Sequence, residues 1–209
     1  MPLQNRVTPT GDIVAHTARG TLMGNRGILH DADRQLGTSR WKHQAWVTCT
    51  LSYKGVRRTL MRPNWYTELF FTDEAVALAA GHRPCAQCRR DDFNRFQAAF
   101  SVGQGIGDQK IPAPEMDKLL HKARVNSRSR AQVTHRAEFA TLPEGAFFKA
   151  TPSGPPLLVR GGQIWAWSFD GYSLQDHNMP DEVEVLTPKP IVDALRSGYR
   201  LFDDPAREA

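Results

Sequence analysis

The stretch FFTDEAVALAAGHRPCAQCRR, residues 70–90, decides how the first half of this 209-residue chain is organised. Phe70-Phe71 closes a run from Tyr66 that reads as a short strand. Thr72-Asp73-Glu74 then offers a hydroxyl N-cap and two acids at the positive end of a helix dipole. Ala75 to Ala80 continues as helix, and Gly81 is the residue expected just past its end. The chain turns through Cys85-Ala86-Gln87-Cys88, and Arg89 to Phe100 restarts as a helix with Phe93, Phe96 and Phe100 on one face. The Cys-x-x-Cys spacing lets two thiolates reach one metal from a tight turn, or form a redox disulfide. Here it lies between two helices and not after the strand of a βαβ unit, which departs from the thioredoxin-like pattern. Cys88 also falls near a helix N-terminus, where the dipole favours thiolate.

Upstream of this stretch, Trp46 to Tyr53 alternates apolar and polar residues as a half-buried strand does. Lys54-Gly55 supplies a turn, and Val56 to Met61 is expected to return as the second arm of a hairpin. Ile13 to Met23 reads as extended, followed by a glycine-flanked polar loop with Asn25, Arg26, His30, Asp31, Asp33 and Arg34. Downstream, the glycines and prolines of 101–114 read as a flexible linker, Glu115 to Val125 as a helix, and Asn126 to Arg130 as a basic loop. Beyond Pro143 short strands are expected at Phe147-Phe148, Leu157 to Val159, Ile164 to Trp167 and Val183 to Leu186. A last helix runs from Ile191 to Ser197. The fold class is α+β: a zinc-supported module with a hairpin and two helices over 1–100, a linker and basic helical segment over 101–136, and a small β-rich part over 137–209.

The composition is that of an ordinary globular chain, with 40% hydrophobic and 23% charged residues. No run approaches the roughly 18 apolar residues of a membrane span. Met1 to Arg6 lacks the apolar stretch of a secretory signal, so a cytoplasmic location is expected. Three cysteines cannot all pair, and a reducing compartment disfavours a structural disulfide. The net charge of +5 is modest, but it is clustered. One cluster is Lys54, Arg57, Arg58 and Arg62. Another is Arg83, Arg89 and Arg90. A third runs from Lys122 through Arg124, Arg128 and Arg130 to Arg136 with no acid among them. Such patches form a phosphate-binding footprint and point to nucleic acid as the partner, with no membrane role.

A structural zinc usually takes four protein ligands. Cys85 and Cys88 give two. Cys49, on the predicted hairpin, is the remaining thiol, although a lone cysteine also serves as a small buried hydrophobe. Among the seven histidines His30 is the expected fourth ligand, because it sits in an irregular loop upstream of the hairpin. His82 is tethered too closely to the turn to complete the same tetrahedron.

Phe70-Phe71, Ala75, Ala79-Ala80-Gly81, Arg83-Pro84-Cys85, Cys88-Arg89 and Asp91 together resemble the second half of the Ada-type metal-binding domain of bacterial alkylation-repair proteins. The resemblance covers about residues 65–92. It implies zinc at Cys85 and Cys88 and a surface that binds DNA ahead of RNA. In that family a zinc-bound thiolate accepts a methyl group from a methylphosphotriester. The family carries two further cysteines closely spaced upstream, where this chain has only Cys49, and an aromatic residue where this chain has His82. Zinc binding therefore carries over to Cys85 and Cys88, and methyl transfer does not.

Other residues suit other chemistry. Asp117, His121 and Arg124 fall at i, i+4 and i+7 on one helix face, a carboxylate and an imidazole placed for acid–base work beside a phosphate. The alternative is a solvated face whose pair merely stabilises the helix. Glu68 is placed on the solvent side of its strand by alternation. Trp165, Trp167, Phe169 and Tyr172 could stack on bases or pack a sheet. No phosphate-cradling Gly-Lys loop, Gly-x-Ser-x-Gly elbow or His-Glu-x-x-His is present. The expected function is a zinc-containing DNA-binding protein in DNA repair or lesion recognition. In it Arg83, Arg89, Arg90, Lys122, Arg124, Arg128, Arg130 and Arg136 contact phosphates. The alternative is a zinc-scaffolded DNA-processing enzyme, a nuclease or glycosylase, using Asp117 and His121. A narrower version makes Cys49 the methyl acceptor.

Overall fold

A computed structural model describes residues 1–55, 59–176 and 178–202. Arg57, Arg58, His177 and the first residues of the expected hairpin return lie outside the described residues. The fold is α+β, with two six-stranded sheets and four α-helices among the described residues.

The first sheet is built from β1 (Gln4–Val7), β2 (Ile13–Ala15), β3 (Leu22–Asn25), β4 (Val47–Thr50), β5 (Leu69–Phe71) and β6 (Arg83–Pro84), in the order β2-β1-β5-β3-β4-β6. Its pairs are antiparallel except for β1 with β5 and β4 with β6. β4 is therefore flanked by β3 and β6. The second sheet is antiparallel throughout, from β7 (His135–Glu138), β8 (Phe147–Lys149), β9 (Leu157–Arg160), β10 (Gln163–Ser168), β11 (Gly171–Gln175) and β12 (Glu182–Val185). Its order is β11-β10-β9-β8-β12-β7.

The helices are α1 (Glu74–Ala79), α2 (Arg90–Gly103), α3 (Ala113–Arg124) and α4 (Lys189–Arg196). The cap of α1 is Asp73 and not Thr72: its carboxylate accepts the Val76 amide at 2.9 Å. A carboxylate there also meets the dipole, which a hydroxyl does not. Gly81 ends the helix at φ +81°, and a Cβ there would sit 2.5 Å from the Arg124 Cδ. Glycine is needed twice over, for the left-handed turn and for the arginine that crosses it. Every residue of α1 is buried.

One apolar core runs through all three segments distinguished in the sequence, joining Phe71 and Leu78 to Phe96 and Phe100, Met116 and Leu120, Leu158, and Leu195 and Tyr199. Trp167 and Tyr172 pack against this core, donating to Thr72 Oγ1 and Asp73 Oδ2 respectively, while Trp165 and Phe169 flank it. They are sheet-packing residues. A smaller cluster, with Phe148, Ile164, Val183 and Val185, fills the other side of the second sheet against Val192. The 101–114 segment is tied down in its second half: Gln97 donates to the Ile111 carbonyl at 2.7 Å, and Ser101 accepts the Ile111 amide. Glu68 is fully buried, accepting the Met61 amide at 2.7 Å, so simple alternation fails just before β5.

Candidate metal centre and its basic surroundings

The parallel pairing of β4 with β6, Val47 opposite Arg83 and Thr48 opposite Pro84, carries both strands to the same end. The Cys85 amide continues the ladder by donating to the Thr48 carbonyl at 2.9 Å. Cys49 thereby arrives beside the turn that holds Cys85 and Cys88. The turn is closed by the Arg89 amide on the Cys85 carbonyl at 3.1 Å, and the Gln87 amide points at Cys85 Sγ at 3.4 Å. The three sulfurs lie within 4.8 Å of one another, close enough to hold one metal ion. All three cysteines are half-buried.

Charge explains why a cation suits this place. Hydrogen bonds from Cys49 and Cys88 hold the Cys85 thiol far below its ordinary range, helped by the Cys88 and Gln87 amides. The same arrangement pushes Cys49 far up, because its proton is shared with Cys85 and Cys88 and its site is partly desolvated. Three adjacent sulfurs cannot all be thiolate without a positive charge among them, which a metal ion would supply.

His30, the expected fourth ligand, does not join the sulfurs. Its Nδ1 meets Thr67 Oγ1 at 2.6 Å and its Nε2 the Arg62 carbonyl at 3.1 Å, so it fastens its loop to the segment before β5. No histidine or carboxylate completes the cluster among the described residues.

Three of the arginines expected on phosphates are instead interior. Arg83, 4% exposed, makes a bidentate pair with Asp117. Arg89, 3% exposed, donates to Glu74 at 2.6 Å, Asp92 at 2.9 Å and Thr48 Oγ1 at 2.7 Å. Glu74 also accepts Tyr199 Oη at 2.8 Å and the Phe202 amide. Arg124, 1% exposed, donates to the carbonyls of Gly81 and Gln44. Basic residues adjacent in sequence alternate between surface and interior, which a count of charges does not reveal. Arg90, Lys122, Arg128, Arg130 and Arg136 are exposed, Arg136 pairing with Glu182 at 2.8 Å.

The expected acid–base pair is corrected in the same way. Asp117 is buried with both carboxylate oxygens on Arg83, so it is a structural counter-ion. His121 is half-buried, its ring edge-on to Trp41 and Trp46 and its Nδ1 3.2 Å from Arg124 Nη2. Burial and the Arg124 charge lower its pKa, so it is neutral at physiological pH. The helix face that holds these residues is turned inward, Asp117 onto Arg83 and Arg124 onto the carbonyls of Gly81 and Gln44. It is the seam between α3 and the first sheet.

Trp46, in the sequence only the start of a strand, is buried with the Arg26 and Arg124 guanidiniums 4.0 and 3.9 Å from its ring centre. Two arginines on one tryptophan leave no local sequence signal, since they come from positions 20 residues upstream and 78 downstream. Comparison with protein-family models, curated proteins and solved structures found no match to this chain. No helix among the described residues is long and apolar enough to cross a membrane.

Proposed function

We propose that this chain is a zinc-thiolate protein that binds nucleic acid, DNA ahead of RNA, and acts in repair or lesion recognition. The observation that carries the reading is the convergence of Cys49, Cys85 and Cys88 on one point. An all-sulfur donor set selects soft or borderline ions, of which zinc is the redox-inert choice. The resemblance of residues 65–92 to a zinc-binding, DNA-binding element supports the same assignment. The exposed cations Arg90, Lys122, Arg128 and Arg130 supply the phosphate contacts, now without Arg83, Arg89 and Arg124. The test is metal analysis of the purified protein together with salt-dependent gel shifts on duplex and single-stranded DNA and on RNA. One zinc per chain and affinity falling steeply with salt are expected. Absence of metal, or binding to no nucleic acid, overturns the reading.

A second reading rests on an observation of its own: three sulfurs and no fourth ligand among the described residues. Cys49, Cys85 and Cys88 would hold the ion as thiolates, and the ion would supply the charge that keeps them deprotonated. Cys49 sulfur, so held, would attack the methyl carbon of a methylphosphotriester, forming S–C as C–O breaks and leaving a phosphodiester anion. Mass spectrometry after incubation with methylated DNA should show one methyl added on Cys49. An unmodified Cys49 removes this reading and leaves the binding reading intact.

A further inference from the structure

Arg26, Arg40, Arg124 and Arg130 come from four separated parts of the chain and line one cavity of about 60 Å³, with Trp46 as a wall and Asp12 as the one acid. Two of these arginines belong to the interior: Arg26 is 2% and Arg124 1% exposed. Neither is neutralised there. Among the described residues Arg26 makes only long bonds, 3.3 Å to His82 Nε2 and 3.2 Å to the Gly11 carbonyl, and its Nη2 has no partner. Arg124 reaches two carbonyls and His121 Nδ1, none of them charged, and its Nε has no partner among the described residues. The carboxylate of Asp117 offsets the Arg124 charge only from a distance, because both of its oxygens are bonded to Arg83.

Burial without a counter-ion brings the Arg26 pKa down to about 9, Asp12 opposing this and Arg40 adding to it. Arg124 is lowered by burial and by the Arg26 charge. Charge of this kind is costly unless something pairs with it. Four guanidiniums against one carboxylate call for a multiply charged oxyanion, and their planar forks match phosphate oxygens.

Size and surroundings narrow the ligand. A cavity of about 60 Å³ suits a single tetrahedral group better than an internal phosphodiester with a sugar on each side. A wider, open groove of about 390 Å³ adjoins it, sharing Arg40 and Arg130 and adding Trp41 and Lys42. We infer that the arginine cavity binds a terminal phosphate monoester, from a free nucleotide or from the end of a nucleic-acid strand, with the nucleoside lying along the groove by Trp41. The inference deepens the nucleic-acid reading by naming the group bound, but does not depend on the metal.

The experiment measures binding of four probes to the full chain: inorganic phosphate, a nucleoside 5′-monophosphate, and a short single strand with either a 5′-phosphate or a 5′-hydroxyl. A phosphorylated strand binding about tenfold tighter than its hydroxyl twin supports the inference with the strand as source. Phosphate or nucleotide binding without any strand binding supports it with the free nucleotide as source, and counts against the nucleic-acid reading. Arg26→Met and Arg130→Ala are each expected to abolish the discrimination. Should Arg26→Met fail to fold, the half-buried Arg40 and exposed Arg130 still carry the test through their alanine variants. Equal binding of the two strands, with no binding of phosphate or nucleotide, overturns it.

Discussion

Arg83 and Asp117 form a buried, two-pronged ion pair: Nε to Oδ1 and Nη2 to Oδ2, both 2.8 Å, across 34 residues of sequence. The arginine belongs to the strand leading into the metal-type turn and the aspartate to α3. Their pairing fixes where that helix sits against the first sheet, and so fixes the wall that Arg124 and His121 occupy.

Removing one partner leaves the other charge buried and alone, which costs about 3–5 kcal/mol. Asp117→Ala and Arg83→Ala are each expected to lower the melting temperature strongly. A joint Arg83→Met/Asp117→Leu replacement should cost much less than the two single losses together. Chemical denaturation of all four proteins checks this, and additive losses would refute the pairing as the cause.

Metal binding should depend on the three thiols and not on His30. Cys49→Ser, Cys85→Ser and Cys88→Ser are each expected to abolish stoichiometric metal, and a strong chelator should destabilise the wild type but not these variants. His30→Ala should keep the metal while losing about 1–3 kcal/mol, because Thr67 and the Arg62 carbonyl lose their partner. Metal analysis beside thermal melts separates the two effects.

His82 gives a pH dependence whose sign follows from its burial. Desolvation, then the charges of Arg26 and Arg124, lower its pKa well below 6.5, so the folded protein keeps it neutral. Below about pH 6.5 the unfolded chain binds a proton that the folded chain does not, so stability falls as the pH falls through that value and is fully present above it. His82→Phe keeps the ring contacts with Phe71 and Trp46 and should flatten that slope. His43, His121 and His135, all lowered, contribute to the slope that remains with the same sign. Melts at a series of pH values between 5 and 8 read the difference.

Tyr199 tests whether the two sheets form one cooperative unit. Its hydroxyl donates to Glu74, the residue that also holds Arg89 beside the cysteine turn. Tyr199→Phe removes one of the bonds to a buried carboxylate and is expected to cost about 1–3 kcal/mol. The loss should appear as an earlier single transition by every spectroscopic probe. Two separate transitions would show that the halves unfold independently.

The parts legible in the sequence are those set by local chemistry. The Thr72-Asp73-Glu74 start, Gly81 and the Phe93–Phe96–Phe100 face mark α1 and α2 because caps, stops and periodicity act within a few residues, although the cap falls on Asp73 and not on the hydroxyl of Thr72. Cys49 could be joined to Cys85 and Cys88 because thiols are scarce in this chain and few other groups bind a soft metal. The illegible parts depend on distant partners. Whether Arg83 faces solvent or Asp117 is settled by how α3 docks, and no feature beside Arg83 records it. His30 has two bonds that only the packing of residues 62–67 creates. β1, β7 and β11 carry no strand signal of their own, because QNRV, HRAE and GYSLQ are polar strands whose partners supply the apolar face.

Gln132 lines the arginine cavity, and its side-chain amide reaches three carbonyls: Pro9 at 3.2 Å, Ala79 at 2.7 Å and Leu186 at 2.9 Å. Those carbonyls belong to the turn after β1, the end of α1 and the strand end after β12. A single side chain thus serves as keystone for the first sheet, its buried helix and the second sheet, and one side of it faces the unbalanced charge. The shape of the cavity is set by the same joint that holds the two halves of the molecule together, so neither can be altered without straining the other.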